Sequence, residues 1–187
     1  VEKHIPELTP GEYLNGLRAG LEMTRRLGIT SIIEAGADEK ILDAYAALDR
    51  AGELPLRVLA SLHVDTAKGV SEVGRLEKLR ETYRGPHLRS TTAKIFVDGV
   101  VESHTAALLE PYLDRPNDRG LALLEPEALN RLAVALDAAG FQIHVHAIGD
   151  RAARQVVSAF ASTLRTPTLL RHRIEHLELP GKAEISQ

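Results

Sequence analysis

The sequence predicts an α/β fold built on a parallel sheet with helical crossovers. Three observations predict it. Short β-branched runs alternate with segments of helical period along the chain, those runs are dense in apolar residues, and glycines close the helical segments.

Each element has its own signal. Thr9-Pro10-Gly11-Glu12 opens a helix: Thr9 caps, Pro10 suits the first helical position, and Glu12 can bond back to the cap amide. Leu14, Leu17, Leu21 and Leu27 suit one face, and Gly28 ends the run. Residues 29–35 (ITSIIEA) read as a strand. Residues 38–51 read as a helix closed by Gly52, and 56–62 (LRVLASL) as a second strand. A polar helix over 71–83 is broken by Gly85-Pro86, and 92–97 (TAKIFV) is a third strand. Glu125-Pro126-Glu127 opens a helix that stops at Gly140. A fourth strand (FQIHVHA, 141–147), a helix over 151–164 and a fifth strand (RIEHL, 173–177) follow.

A closed eight-stranded barrel takes about 250 residues, or about 31 per βα unit. By that measure 187 residues hold roughly five or six units, too few to close a barrel. A doubly wound sheet of five strands would be complete at this length and is the alternative architecture. Between Asp98 and Leu124 no periodic element is visible. The stretch follows a strand, so it leaves from the end where α/β folds bind ligands.

Composition excludes several classes. Lys plus Arg is 23 and Asp plus Glu is 26, a formal charge of −3, so no basic excess points to nucleic acid. At 44 % hydrophobic and 26 % charged residues the chain is typical of globular proteins. It has no cysteine, which removes disulfides, thiolate chemistry and zinc fingers. No apolar window is long enough for a membrane span and no signal peptide is visible, so a cytoplasmic location is expected. There is no close-spaced His-x-x-x-His, Gly-rich phosphate loop or G-x-S-x-G elbow.

What stands out is polarity inside apolar strands. Lys94, Phe96 and Asp98 share one face of their strand by alternation, and Gln142, His144 and His146 share one face of theirs. In the last strand His172, Ile174 and His176 alternate with Arg173, Glu175 and Leu177. A lysine buried in an apolar strand has three outlets. It pairs with Asp98 or another carboxylate, it serves as a Schiff-base amine, or it carries carbon dioxide and ligates metal beside neutral imidazoles. Glu34 and Glu175 suit salt bridges, His144 suits a supporting role, and Asp150 suits a helix N-cap. The run Arg171-His172-Arg173 reads as solvated charge at the start of a strand. His4, His63 and His87 carry no positional signal.

The segments ITSIIEAG, TAKIFVDGVVESHTAALLEPY, GFQIHVHAIGDRA and RHRIEH, in this order, resemble the metal-dependent amidohydrolases. The likeness is to the type-3 branch, which includes N-substituted formamide deformylases, and it runs from about Pro6 to His176. The resemblance implies a (β/α)8 TIM-barrel of the metal-dependent hydrolase type with a small β-sandwich. It implies one or two divalent ions, Zn2+ in most members, at the carboxyl ends of the strands. Lys94 resembles the carboxylated lysine of the family, and His146 and His176 resemble two histidine ligands. Asp98 and Glu102, on the long loop, are expected to contact substrate. The implied reaction is attack of a metal-activated water on an amide-like carbon.

The departures matter. The family's first-strand His-x-His has no counterpart here, since His144-Val145-His146 matches a later strand. The closing strands and the aspartate that acts as general base also have none. Residues 1–187 therefore read as the central part of one barrel domain, natural or engineered, with the first- and last-strand units and the sandwich absent. Little hydrolysis is expected of this chain alone. Open sheet edges would invite a second copy, as a homodimer or swapped assembly, and the expected small-molecule partner is an amide-like substrate. The rival functions are a lyase using Lys94 as a Schiff-base amine, and a non-catalytic interaction module of the same fold.

Overall fold

The structure, a computed structural model, describes residues 6–163 and 170–186. His4, named above, and the final residue of the helix expected over 151–164 lie outside the described residues. Among the described residues five strands, β1 (Ser31–Ala37), β2 (Arg57–His63), β3 (Leu88–Phe96), β4 (Gln142–Ala147) and β5 (Arg173–His176), alternate with helices α1 (Pro10–Arg26), α2 (Glu39–Arg50), α3 (Val73–Thr82), α4 (Pro126–Ala138), α5 (Asp150–Thr163) and α6 (Lys182–Ile185). Strand neighbours follow chain order from β1 to β5. Parallel pairing joins β1 to β2, β3 to β4 and β4 to β5. A doubly wound sheet reverses its strand order at a switch point. This sheet does not, so the alternative architecture is excluded.

The chain divides into two compact units, residues up to Leu62 with Lys78–Thr91, and His63–Glu77 with Thr92 onward. In the first unit the expected capping box is present. Thr9 Oγ1 accepts from the Glu12 amide at 3.3 Å and a Glu12 oxygen accepts from the Thr9 amide at 2.7 Å. Asp38 caps α2 through the Ile41 amide at 2.9 Å. α1 packs on α2, and Arg18 reaches Glu53 at 2.7 Å. Leu21 is buried as expected, but Leu27 is 70 % exposed, because it is the C-cap residue beyond the last helical turn. β1 begins and ends two residues later than the pattern suggested. It carries a register shift between Ala35 and Ala37, and the extra residue is Gly36 at φ 118°, a bulge that glycine tolerates.

β3 starts earlier than its apolar run. Ser90 is buried and its hydroxyl donates to the Tyr83 carbonyl at 2.8 Å, which makes a polar residue acceptable inside a strand.

In the second unit Ala93, Ile95 and Val97 alternate inward with Ile143, Val145 and Ala147, and all six are fully buried. The apolar sides of α4 (Leu129, Leu132, Leu136) and α5 (Ala152, Val156, Ala159) are buried too. The two helices pack on each other and on β4. Hydrophobic burial therefore consumes one face of these strands. Their other face is left to Lys94, Phe96, His144 and His146, and that division positions the site.

Candidate functional site

The register of the parallel ladders brings the polar strand residues together. Lys94 pairs across with His144, and Phe96 with His146. His144 pairs with Arg173, and His146 with Glu175. Side chains of register partners share a face, so Lys94, Phe96, His144, His146, Arg173 and Glu175 line one surface. The expected sharing within β3 and β4 is therefore present.

Lys94 is 2 % exposed, and its Nζ donates to Glu175 Oε2 at 2.8 Å. Its carboxylate partner is Glu175, not Asp98. The other Glu175 oxygen meets His144 Nε2. Burial alone would raise the Glu175 carboxyl. The hydrogen bond from Lys94 and the charge of its ammonium outweigh it and hold the group below its ordinary value. For His144, burial and then the Lys94 charge push the imidazole down to about 4. It is a neutral ring wedged between an ammonium and a carboxylate.

This carries a prediction. Folded His144 stays neutral to about pH 4, whereas an unfolded histidine takes its proton near 6.5. Between those values the unfolded chain binds more protons, so stability is full above about pH 6.5 and falls as pH drops toward about 4. Glu175 acts in the same sense, since its depressed value makes its contribution vanish as it protonates. The urea midpoint is expected to fall between pH 7 and pH 5, and His144→Gln is expected to flatten that slope. An equal slope in the variant would refute the assignment.

His176 reaches the site by an unexpected route. Its register partner is Ala147, on the opposite face from His146. Yet the His146 and His176 rings meet edge to face at 4.6 Å between centroids. The backbone explains it: His176 and Leu177 have φ of 71° and 49°, so the alternation breaks at the end of β5. Positive φ in non-glycine residues costs about 1–3 kcal/mol each and concentrates at functional sites. His146 Nε2 lies 2.9 Å from the Gly99 carbonyl. A carbonyl only accepts, so the proton sits on Nε2 and Nδ1 keeps its lone pair, the arrangement of a ligating histidine with its supporting acceptor.

Asp98 is 2 % exposed and accepts three backbone amides: Ala107 at 2.9 Å, Ile148 at 3.1 Å and Gly149 at 2.9 Å. It clamps the long loop onto the turn between β4 and α5. Asp150 adds to the clamp, its Oδ1 accepting from Leu109 at 2.9 Å and from Arg151 at 2.8 Å. The loop has no regular element beyond one bridge, Tyr112 with Arg115. It is nonetheless tied down: Tyr112 donates to the Ala106 carbonyl at 2.8 Å, and Leu123 to the Val97 carbonyl at 2.8 Å. Glu102 sits exposed on a turn of this loop.

Close approach of the loop makes glycine necessary at Gly149. A Cβ there would lie 2.0 Å from the Ala107 carbonyl oxygen. Gly149→Ala is expected to cost about 2 kcal/mol or more by forcing backbone apart, read as a lower midpoint in denaturant titration. An unchanged midpoint would mean the loop moves aside freely.

His172 is not solvated charge as the sequence suggested. Its Nδ1 accepts the Ile143 amide and its Nε2 donates to Asp137 Oδ1, both at 3.1 Å. Burial lowers its pKa, against the pull of Asp137. It stitches β4 to the start of β5. His63, which carried no sequence signal, stands at the carboxyl end of β2 with its ring 6.0 Å from that of Phe96.

Sequential parallel strands with alternating helices, and polar side chains at their carboxyl ends, are the arrangement of part of a (β/α)8 barrel. The amidohydrolase family model matches residues 1–186, and the chain belongs to that family. It is 31 % identical over 159 residues to the exoenzymes regulatory protein AepA of Pectobacterium carotovorum subsp. carotovorum, covering 83 % of this chain and 34 % of AepA. It is 27 % identical over 193 residues to Protein LONG AFTER FAR-RED 3 of Arabidopsis thaliana, covering 96 % of this chain and 33 % of that protein. An uncharacterized metal-dependent hydrolase of Pyrococcus horikoshii OT3 superposes with a TM-score of 0.79 at 29 % identity, covering 96 % of this chain and 35 % of the hydrolase. The chain thus spans about a third of the length of the relatives it matches.

The residues present fit a divalent ion in kind. Two imidazoles are in contact, one with its lone pair assigned, and a buried lysine shares their surface. Among the described residues no three His, Asp or Glu side chains form a preformed ion site. The third donor from this chain would be Lys94. Among the described residues no helix is long and apolar enough to cross a membrane.

Proposed function

We propose that this chain supplies the central metal-holding segment of a hydrolase acting on carbon–nitrogen bonds other than peptide bonds. The contact of His146 with His176 at 4.6 Å, beside a buried lysine, carries the reading. Family membership and the metal-dependent hydrolase it superposes on support it. His146 and His176 would hold the ion, with Lys94, as its carbon dioxide adduct, as the third donor. When bound, a zinc-like ion supplies Lewis-acid polarisation and a water nucleophile active near neutral pH. The chain's own residues orient and exclude. The Gly99 carbonyl fixes the His146 ring, Glu175 holds the Lys94 ammonium in the sheet face before the adduct forms, and Asp98 clamps the loop that presents Glu102 to an amide-like substrate.

Equilibrium dialysis against Zn2+, followed by elemental analysis, tests the reading. Uptake is expected to drop more than tenfold in His146→Ala and in His176→Ala, because each removes one of few donors. Uptake unchanged in both variants would overturn it. A carbon dioxide mass increase on Lys94 would support the adduct, whereas borohydride trapping of a carbonyl compound on Lys94 would favour a Schiff-base lyase. AepA carries the name of a regulatory protein, which favours a second reading, a non-catalytic module of the same fold. That reading predicts no ion uptake at all.

A further inference from the structure

Four rings stand in a row across the carboxyl ends of four strands. His63 lies 6.0 Å from Phe96, Phe96 lies 5.4 Å from His146, and His146 lies 4.6 Å from His176, as centroid distances. The last two members are assigned above to an ion. The first two have no role there, although the strands bring them to the same surface.

Their placement is built. The His63 carbonyl accepts from Arg75 at 2.7 Å, and the next amide, Val64, donates to the Lys94 carbonyl at 3.0 Å. These bonds set the end of β2 beside β3. Phe96 is partly open to solvent, whereas its strand neighbours Ile95 and Val97 are fully buried on the helix side. An apolar ring left open beside polar groups gains nothing from water. The Lys94 Nζ lies 5.0 Å from the Phe96 centroid, so the ring borders the group proposed as the third ion donor. His63 is exposed and edges the same row.

We infer that His63 and Phe96 form a ring-stacking subsite that positions a planar, unsaturated group of the substrate next to the His146–His176 pair. The inference rests on the hydrolase reading for its substrate and deepens it. The ligand class is an amide carrying an aromatic or heteroaromatic ring. Offset or edge-to-face packing against Phe96 and His63 rewards flatness and π-character, which a saturated ring of equal size lacks. His63 adds a hydrogen-bonding edge for a polar substituent on that ring. Both residues are positioning residues, since neither is placed at the reacting carbon.

The test compares two probes of matched size, benzamide and cyclohexanecarboxamide, by NMR titration of the purified chain with Zn2+ present and absent. Benzamide is expected to bind about fivefold more tightly, the worth of one aromatic contact. The preference is expected to shrink toward unity in Phe96→Leu and to fall in His63→Ala. Zn2+ uptake is expected to be unchanged in His63→Ala. Amide fingerprints of both variants report that they fold. Equal binding of the probes, no binding of either, or a preference that survives both substitutions would overturn the subsite. Zn2+ uptake indifferent to His146→Ala with the ring preference intact would sink the hydrolase reading and leave the subsite standing.

Discussion

Lys94→Met is expected to destabilise the chain by about 2–4 kcal/mol, even though methionine is apolar and fits the space of the lysine stem. The reason is what it leaves behind. Glu175 is 29 % exposed at its side chain, and it would face a neutral His144 with no cation at hydrogen-bonding distance. Breaking a buried pair from one side strands a charge, whereas replacing both partners removes the problem. The double variant Lys94→Met/Glu175→Leu is therefore expected to recover most of the loss. Urea denaturation of wild type, both single variants and the double closes a thermodynamic cycle, with a coupling of about 1–3 kcal/mol expected. Additive single effects would show that the 2.8 Å contact carries no net energy. The same variants speak to function: Lys94→Met deletes one of the three proposed donors, and its Zn2+ uptake should fall alongside the histidine variants.

Asp98→Ala should be the other severe substitution, at about 3–5 kcal/mol. Three buried amides, those of Ala107, Ile148 and Gly149, lose a charged acceptor together, and each hydrogen bond to a charged group contributes about 1.5–3 kcal/mol before relaxation. Loop relaxation and water entry account for the smaller total. Asp98→Asn keeps one acceptor oxygen but sets an NH2 group against an amide donor, so about half the loss is expected to remain. The signature is local. Hydrogen exchange at Ala107, Ile148 and Gly149 should accelerate before that of β4, because the clamp opens the loop without first melting the strand. Uniform acceleration across the second unit would mean that Asp98 supports the whole core and not the loop.

Much of the architecture follows from local rules. Thr9, Pro10 and Glu12 satisfy the orphan amides of a helix start within four residues, so the cap was readable and is present. Alternation places Lys94 with Phe96 and His144 with His146, and the observed register keeps them so. The long segment after β3 was readable as irregular because nothing in it repeats. What escaped were contacts between residues far apart in the chain. Glu175 finds Lys94 across 81 positions, and Asp98 finds the Ile148 amide across 50. A strand's parity can be read from its side chains, but not the end at which it stops being a strand. Left-handed backbone at His176 therefore turned a residue of the wrong parity toward His146.

By itself the sequence determined which faces would be apolar and that an ammonium would have to live among buried strands, because hydrophobic periodicity and the cost of burying charge act residue by residue. Only the tertiary structure decided who neutralises that ammonium, which imidazoles meet, and that His63 joins their row. Those outcomes depend on inter-strand register, which packing of the whole sheet sets and no short window of residues contains.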